Sequence, residues 1–383
     1  MNYIHFDHVM WYTEYGSPDA YLFWMNPEGV IRERYGFRMR FSILIPVYNV
    51  EQYLNECVES VLSQDMKDYE IVMIDDGSTD KSGQICDEYQ AKYPERITVV
   101  HKQNEGLLIA RRDALKIAKG DYILFLDSDD YYEPGALKAI SDVVDSDEPD
   151  VVIFNVDLVK EGKVIGKLTD FSVFGEKHIF EDKSLIYDNL LGREYNFTSL
   201  AMKCCKRACV GVDTDYSEYK RLNYGEDLLQ SIEIYTNAQK IVYISNATYC
   251  YRIGSGMTSK VNLKLYTDNK RVNKAFHKYI DKWNIEHKEA KLARHFMYYV
   301  CDIVRSIDKT GNLNTETKEY LKSISADIDF RTNYELLSKS ELYKTLKIQE
   351  RVVLALLYKR KIQRLSIIIR SYLTIEKVGK IFK

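Results

Sequence analysis

The chain has 383 residues, 45% of them apolar and 29% charged, with a formal net charge of −3, enough for a large core and two units. That charge gives no global attraction to nucleic acid. Seven cysteines, odd in number and scattered along the chain, exclude a disulfide framework and point to reduced thiols in the cytosol.

The opening "MNYIHFDHVMWYTEYGSPDAYLFWMN" carries His, Asp and Glu where a signal peptide needs a basic start and a clean apolar stretch. No run reaches the roughly 20 apolar residues that span a bilayer, so the expectation is a protein that does not cross a membrane. Residues 1–40 are aromatic-rich without periodicity, and Met39 could itself begin the chain. They are read as an extension of unassigned role.

From Phe41 the pattern becomes regular. "FSILIP" is a continuous apolar run, as in a strand buried on both faces. Leu54, Cys57, Val58, Val61 and Leu62 then recur at helical spacing. Strands are predicted over 69–74, 97–100, 121–126 and 150–155, with helices after Asp80, over 107–118 and after Pro134. Gly120 is taken as the C-cap of the helix over 107–118. Alternating strands and helices predict an α/β class: a mostly parallel, doubly wound sheet flanked by helices. Ligands of such sheets sit beyond the carboxyl ends of the strands. Tyr48-Asn49, Asp75-Asp76 and Asp127 to Asp130 all follow strand ends, so they should line one edge and give it an acidic rim.

The end of the chain differs. From Lys344 onward there are eleven Lys or Arg against two Glu, a local charge of +9 that leaves −12 on the rest. "RVVLALLYKRKIQRLSIIIRSYL" has the composition of a helix lying on an anionic membrane face. A packing arm with a solvated basic side is the plainer alternative. The organisation expected is an extension over 1–40, a sheet domain over 41–260 and a helical basic region over 261–383.

The acidic turn "LDSDDYYEP" admits several readings. An EF-hand from Asp127 would need Gly and Glu where Tyr132 and Lys138 stand. Neither G-x-G-x-x-G nor G-x-x-x-x-G-K-[ST] occurs, and "GSGMTS" has no strand-turn-helix context. Cys204, Cys205 and Cys209 lack C-x-x-C spacing and nearby His, so zinc is not expected. A D-x-D pair, Asp127 and Asp129, suits Mg²⁺ or Mn²⁺ shared with a diphosphate, although an Asp-rich turn also caps helices. The 31 tyrosines would suit sugar stacking, with biased codon usage the duller reason.

Four segments then occur in order: "FSILIPVYNVEQYLNECVESVLSQ", "YEIVMIDDGSTDKS", "NEGLLIARRDALKIAKGDYILFLDSDDYYEP" and "YGEDLL". Together they resemble the family-2 glycosyltransferases of bacteria, with the GT-A fold. The resemblance is strong from about Phe41 to Asp150, weaker to about Ser259, and absent outside. It implies that Pro46, Tyr48 and Asn49 line a base pocket, and that Asp76 accepts from the uracil imide with Asp75 in support. Asn104, Gly106 and Arg111 would close over the nucleotide, Asp127 would reach the ribose or sugar, and Asp129 would bind Mn²⁺ or Mg²⁺. Asp227 would be the catalytic base, with Glu226 beside it, although both also suit the first turn of a helix. "YCYRIGSGMTS" resembles a segment whose Arg approaches the diphosphate, here Arg252.

The resemblance, taken with the basic tail, implies an inverting transfer of one sugar from a UDP-sugar to a lipid-linked saccharide, on the cytoplasmic face of the membrane, in cell-surface polysaccharide synthesis. Two departures stand out. "LAMKCCKR" has Ala201, Met202 and Lys203 where many relatives carry aromatic-Asn-Lys, and the aromatic-Arg-Trp block of processive synthases is missing. Two rivals remain. A sugar-1-phosphate nucleotidyltransferase would need a glycine-rich, Arg-containing loop after the first strand, which "PVYN" does not supply. A catalytically silent nucleotide-sugar-binding or scaffold subunit would have no reason to keep Asp76, Asp129 and Asp227 together.

Overall fold

The computed structural model describes residues 39–368, except 193, 223, 255–262, 311–313 and the side chains of 308–310. Before residue 39 it describes only the backbone of two short strand pairs, His5–Phe6 with Val9–Met10 and Leu22–Met25 with Ile31–Arg34. Most of "GSGMTS" and the end of the basic segment lie outside the described residues.

Strand β1 (Phe41–Val47) is buried along its whole length, which its unbroken apolar run requires. It is followed by α1 (Leu54–Leu62), β2 (Tyr69–Asp75), α2 (Ser82–Lys92), β3 (Ile97–His101), α3 (Leu107–Ile117) and β4 (Tyr122–Phe125). All three ladders among these strands are parallel: β1 with β2, β2 with β3, and β1 with β4. Helix α3 packs on β1 and β2. Pro46 lies inside β1, yet the β4 ladder covers only Phe41 to Leu44 of that strand. Its missing N–H therefore costs no ladder bond.

Beyond β4 the sheet becomes mixed. The next elements are β5 (Tyr131–Tyr132), α4 (Ala136–Asp147), β6 (Val151–Lys160), β7 (Lys163–Lys167), β8 (Lys177–Ile179), α5 (Ser184–Leu190), β9 (Lys203–Lys206), α6 (Glu226–Asn237) and β10 (Ile241–Arg252). The sheet order is β8-β10-β6-β9-β4-β1-β2-β3, with β7 on β6 and β5 on β10. Strand β9 enters antiparallel to both β4 and β6, so the predicted strand after Pro149 does not pair with β4. The parallel run resumes between β6 and β10.

Gly120 is not a helix cap. The cap of α3 is Ala118, and Gly120 passes directly against β1. A Cβ there would lie 2.5 Å from the Ser42 nitrogen and 2.6 Å from the Phe41 carbonyl carbon, so only glycine fits. Its own N–H donates to Ser42 Oγ at 2.8 Å.

Two apolar cores follow. The first fills both faces of the sheet and reaches on to Val272, Ala275 and Phe276 of α7 (Leu265–Phe276), then Trp283 and Leu292. The second surrounds α8 (Lys288–Thr310), whose Phe296, Met297, Val300, Val304 and Ile307 repeat at helical spacing. Around it pack α9 (Thr315–Ala326), α10 (Ile328–Ser338) and α11 (Ile348–Tyr358). The basic segment contributes Leu354, Leu357, Ile362 and Leu365 to this core, leaving Ile348, Val352 and Ile367 exposed. No described helix is long and apolar enough to cross a membrane. All seven cysteines are buried free thiols.

Candidate active site

The carboxyl ends of β1, β2 and β4 share one edge because the three strands run parallel. At the β1 and β2 ends, side chains bind backbone. Asn49, at φ 52°, accepts from Thr79 N at 2.7 Å through Oδ1, clamping one strand end to the next. Asp75 Oδ1 accepts from Ser78 N at 2.9 Å, and Oδ2 faces His101 Nδ1 at 2.8 Å. Burial pushes the Asp75 carboxyl up, but bonds from Ser78 and His101 win and leave it below its usual range. Asp76 is buried, and its two oxygens accept from Glu105 N at 2.9 Å and Gly106 N at 2.8 Å. It thereby fixes the loop carrying Asn104 and Gly106 at the start of α3. Pro46 is buried in β1, whereas Tyr48 is half exposed at its end.

The second part of the edge is built from charge. After β4 the turn alternates, with Ser128 and Asp130 turned inward and Asp127 and Asp129 partly exposed. Arg111, expected over the nucleotide, lies inside the protein at 2% side-chain exposure and forms a bridge. Its Nη2 donates to Asp127 Oδ1 at 2.6 Å and its Nη1 to Asp227 Oδ1 at 2.5 Å. Burial opposes the guanidinium charge, and Asp127, Asp227 and Glu226 more than offset it. Asp227 Oδ2 also accepts from Leu200 N at 3.2 Å.

Asp227 and Glu226 open α6, where the helix dipole favours negative charge. Gly225 caps that helix at φ 83°, and a Cβ there would come within 3.0 Å of Val272 on α7, so α7 seats directly on the turn before the acidic pair. Burial and then the Asp227 charge raise Glu226 to about 7. Burial also raises Asp127, against Arg111 and with Asp227. Asp130, expected on the acidic rim, is instead buried, and is pushed to about 8 by burial and by Asp127 and Asp129. It accepts from Tyr249 Oη at 2.7 Å and from Arg252 N at 2.7 Å.

Arg252 ends β10 beside this turn. Its Nε donates to the Asp129 carbonyl at 2.9 Å and its Nη2 to Glu56 at 2.9 Å, while the guanidinium lies over the Tyr53 and Tyr131 rings. Two further basic residues support the centre. Lys203 is buried on β9, donates to the Ser199 carbonyl and lies over the Tyr235 ring. Burial draws its ammonium down to about 7. Arg112 donates to the carbonyls of Val210, Gly211 and Val212, which holds the chain on its way to α6. Lys203 stood at a recognised departure and Arg112 beside a quoted residue, but the Arg112 bonds and the Lys203–Tyr235 contact join residues far apart in sequence.

The donor set fits a hard divalent cation. Asp127 and Asp129 flank the open side of the turn, and burial first, then neighbouring carboxylates, hold Asp127, Asp130 and Glu226 above their usual range. Among the described residues no three His, Cys, Asp or Glu side chains converge as a metal cage. One or two carboxylates suffice when a diphosphate and water supply the remaining ligands.

The site thus joins the carboxyl edge of a parallel sheet, through one arginine, to the acidic start of a helix. The profile of glycosyl transferase family 2 matches residues 42–207. "Glycosyltransferase GlyG" of Streptococcus pneumoniae serotype 4 is 32% identical over 233 residues, 58% of this chain and 74% of its own length. The chain belongs to the family-2 glycosyltransferases. The poly(ribitol-phosphate) beta-N-acetylglucosaminyltransferase TarS of Staphylococcus aureus is 31% identical over 226 residues, 58% of this chain and 37% of its own. "Glycosyltransferase GlyA" of S. pneumoniae is 29% identical over 228 residues, 58% of this chain. The match spans only 32% of GlyA's length. The crystal structure of TarS residues 1–349 superposes with a TM-score of 0.62 at 23% identity, covering 87% of this chain and 91% of that one, which establishes the GT-A fold.

Proposed function

We propose that the protein is an inverting glycosyltransferase that moves one sugar from a UDP-sugar to a saccharide acceptor. The observation that carries this is the Arg111 bridge. It links Asp127, which follows β4, to Asp227, at the start of α6, two carboxylates separated by 100 residues of chain. TarS has also been solved with UDP-GlcNAc and with UDP, which favours a uridine nucleotide for this chain.

The nucleotide base would stack at Tyr48, with Asn49, Asp75 and Asp76 holding the loop around it. Asp129, with Asp127, would hold Mn²⁺ or Mg²⁺. When bound, the ion would offset charge on the departing diphosphate. Arg252, next to that turn, would add a positive charge on the same side. Asp227 would take the proton of the attacking acceptor hydroxyl, aided by Glu226, and attack opposite the leaving group inverts the anomeric configuration. Lys344, Lys347, Lys359, Arg360, Lys361 and Arg364 are exposed beside Ile348, Val352 and Ile367. This surface supports peripheral contact with the anionic cytoplasmic face of the membrane, where a lipid-linked acceptor would be presented.

Calorimetry with UDP and MnCl₂ tests the reading. Binding heat is expected, and it should disappear with EDTA and in Asp129→Asn. No heat from a folded sample would refute the assignment.

A further inference from the structure

A cleft of about 260 Å³ lies between the chain that follows α5 and the face of α8, lined by Tyr195, Asn196, Thr198, Tyr298, Tyr299 and Asp302. It adjoins the acidic centre through the backbone. Ser231 Oγ, one turn after Asp227 on α6, donates to the Thr198 carbonyl at 2.6 Å. Leu200 N donates to Asp227 Oδ2. Two residues span at most ~7 Å of extended chain, so the cleft and the Asp227 carboxylate are neighbours on the scale of one sugar ring.

Its walls are held in place. Asn196 Oδ1 accepts from Thr198 N at 3.0 Å and Thr198 Oγ1 at 2.8 Å. Asn189 Oδ1 accepts from Tyr195 N at 2.8 Å. The Tyr195 ring packs against Phe171, Phe174 and Phe197, and Tyr299 lies edge-on to buried His295 at 4.8 Å. Tyr195, Tyr298 and Tyr299 remain half-buried, with the Arg294 guanidinium over the Tyr298 ring. Flat aromatic faces beside an amide, a hydroxyl and a carboxylate suit a ligand that is apolar on its ring faces and hydroxylated at its edge.

We infer that this cleft is a subsite for a non-reacting sugar ring of the acceptor, with Tyr298 and Tyr299 against its face and Asn196, Thr198 and Asp302 meeting its hydroxyls. The inference rests on Asp227 as the residue that receives the acceptor proton. It gives the helices after residue 288 a direct part in choosing the acceptor.

The full chain with UDP and Mn²⁺ is titrated by saturation-transfer NMR with p-nitrophenyl hexosides, p-nitrophenyl N-acetylhexosaminides and, separately, ribitol 5-phosphate. At least one glycoside should bind. Tyr298→Ala and Tyr299→Ala should weaken it tenfold or more, the Phe variants should restore it, and UDP affinity should not change. With any glycoside that accepts sugar, the same variants should raise its KM and leave the donor KM alone. Two alanine variants are used in case one fails to fold. The inference is overturned if no glycoside binds, if affinity survives the alanine variants, or if only ribitol 5-phosphate shows the dependence. Failure of UDP to bind the wild-type chain would instead strike the donor reading, which these variants do not touch.

Discussion

The two halves of the active edge are held by different forces. Around Asn49, Asp75 and Asp76 the side chains grip backbone N–H groups of nearby turns, so the pocket wall is shaped by the chain itself. Around Asp127, Asp227 and Glu226, charge is balanced against charge by Arg111. The first arrangement is preorganised by these bonds to backbone. The second is poised, and its balance must change when a diphosphate enters.

The contrast is broken most severely at Asp227. Asp227→Asn should lower kcat by ~10²–10⁴, the contribution of a positioned base, with UDP affinity nearly unchanged, and should also lower the thermal midpoint, because buried Arg111 loses one of its two carboxylate partners; steady-state kinetics and a melting curve check both. Arg111→Met would leave two facing carboxylates without their cation. Urea unfolding should show a loss of about 3–5 kcal/mol, whereas the same change at a surface arginine would be nearly neutral. Asp76→Asn removes one of two charge-assisted bonds to the loop. The UDP Kd should rise by an amount equivalent to ~1.5 kcal/mol, with kcat retained, as calorimetry and kinetics can separate. Gly225→Ala forces a left-handed residue against Val272 and should cost ~1–3 kcal/mol, with activity reduced as α6 shifts.

The smallest effect is on pH dependence. Burial and Asp227 raise Glu226 to about 7; if its ionised form assists the reaction, kcat/KM should fall as pH drops below that value. Glu226→Gln should remove that limb. Asp130 gives the opposite sign for stability. Burial and its acidic neighbours raise its folded value to about 8, against ~3.9 in an unfolded chain. Its contribution is complete below the unfolded value and is lost as pH rises through the folded one, so the Tm should decline between ~4 and about 8 and level off above.

How much of this was legible depended on the range of the interaction. Strands such as β1 and β2 announce themselves because burial on both faces demands an apolar run. Strand β9 does not, since "KCCK" begins with a lysine that only tertiary packing buries. Asp127 and Asp227 could be read from their segments, but their partnership could not, because Arg111 stands 116 residues from Asp227 and an arginine on a helix reads as a surface charge. Gly120 was misread for the same reason: its constraint comes from Ser42, across the sheet. The basic segment gave two readings of one composition. Four of its apolar side chains join the second core, while the exposed remainder keeps the membrane proposal open to test.

The seating of α7 on Gly225 bears on how the protein can be shortened. The resemblance fades near residue 259, a natural place to cut, yet Val272, Ala275 and Phe276 belong to the first core. Ending the chain there would strip the cover from the turn that aims Asp227. A minimal catalytic fragment should therefore run at least through Trp283 and Leu292, and one that ends sooner should be recovered insoluble or inert even with every sheet strand present.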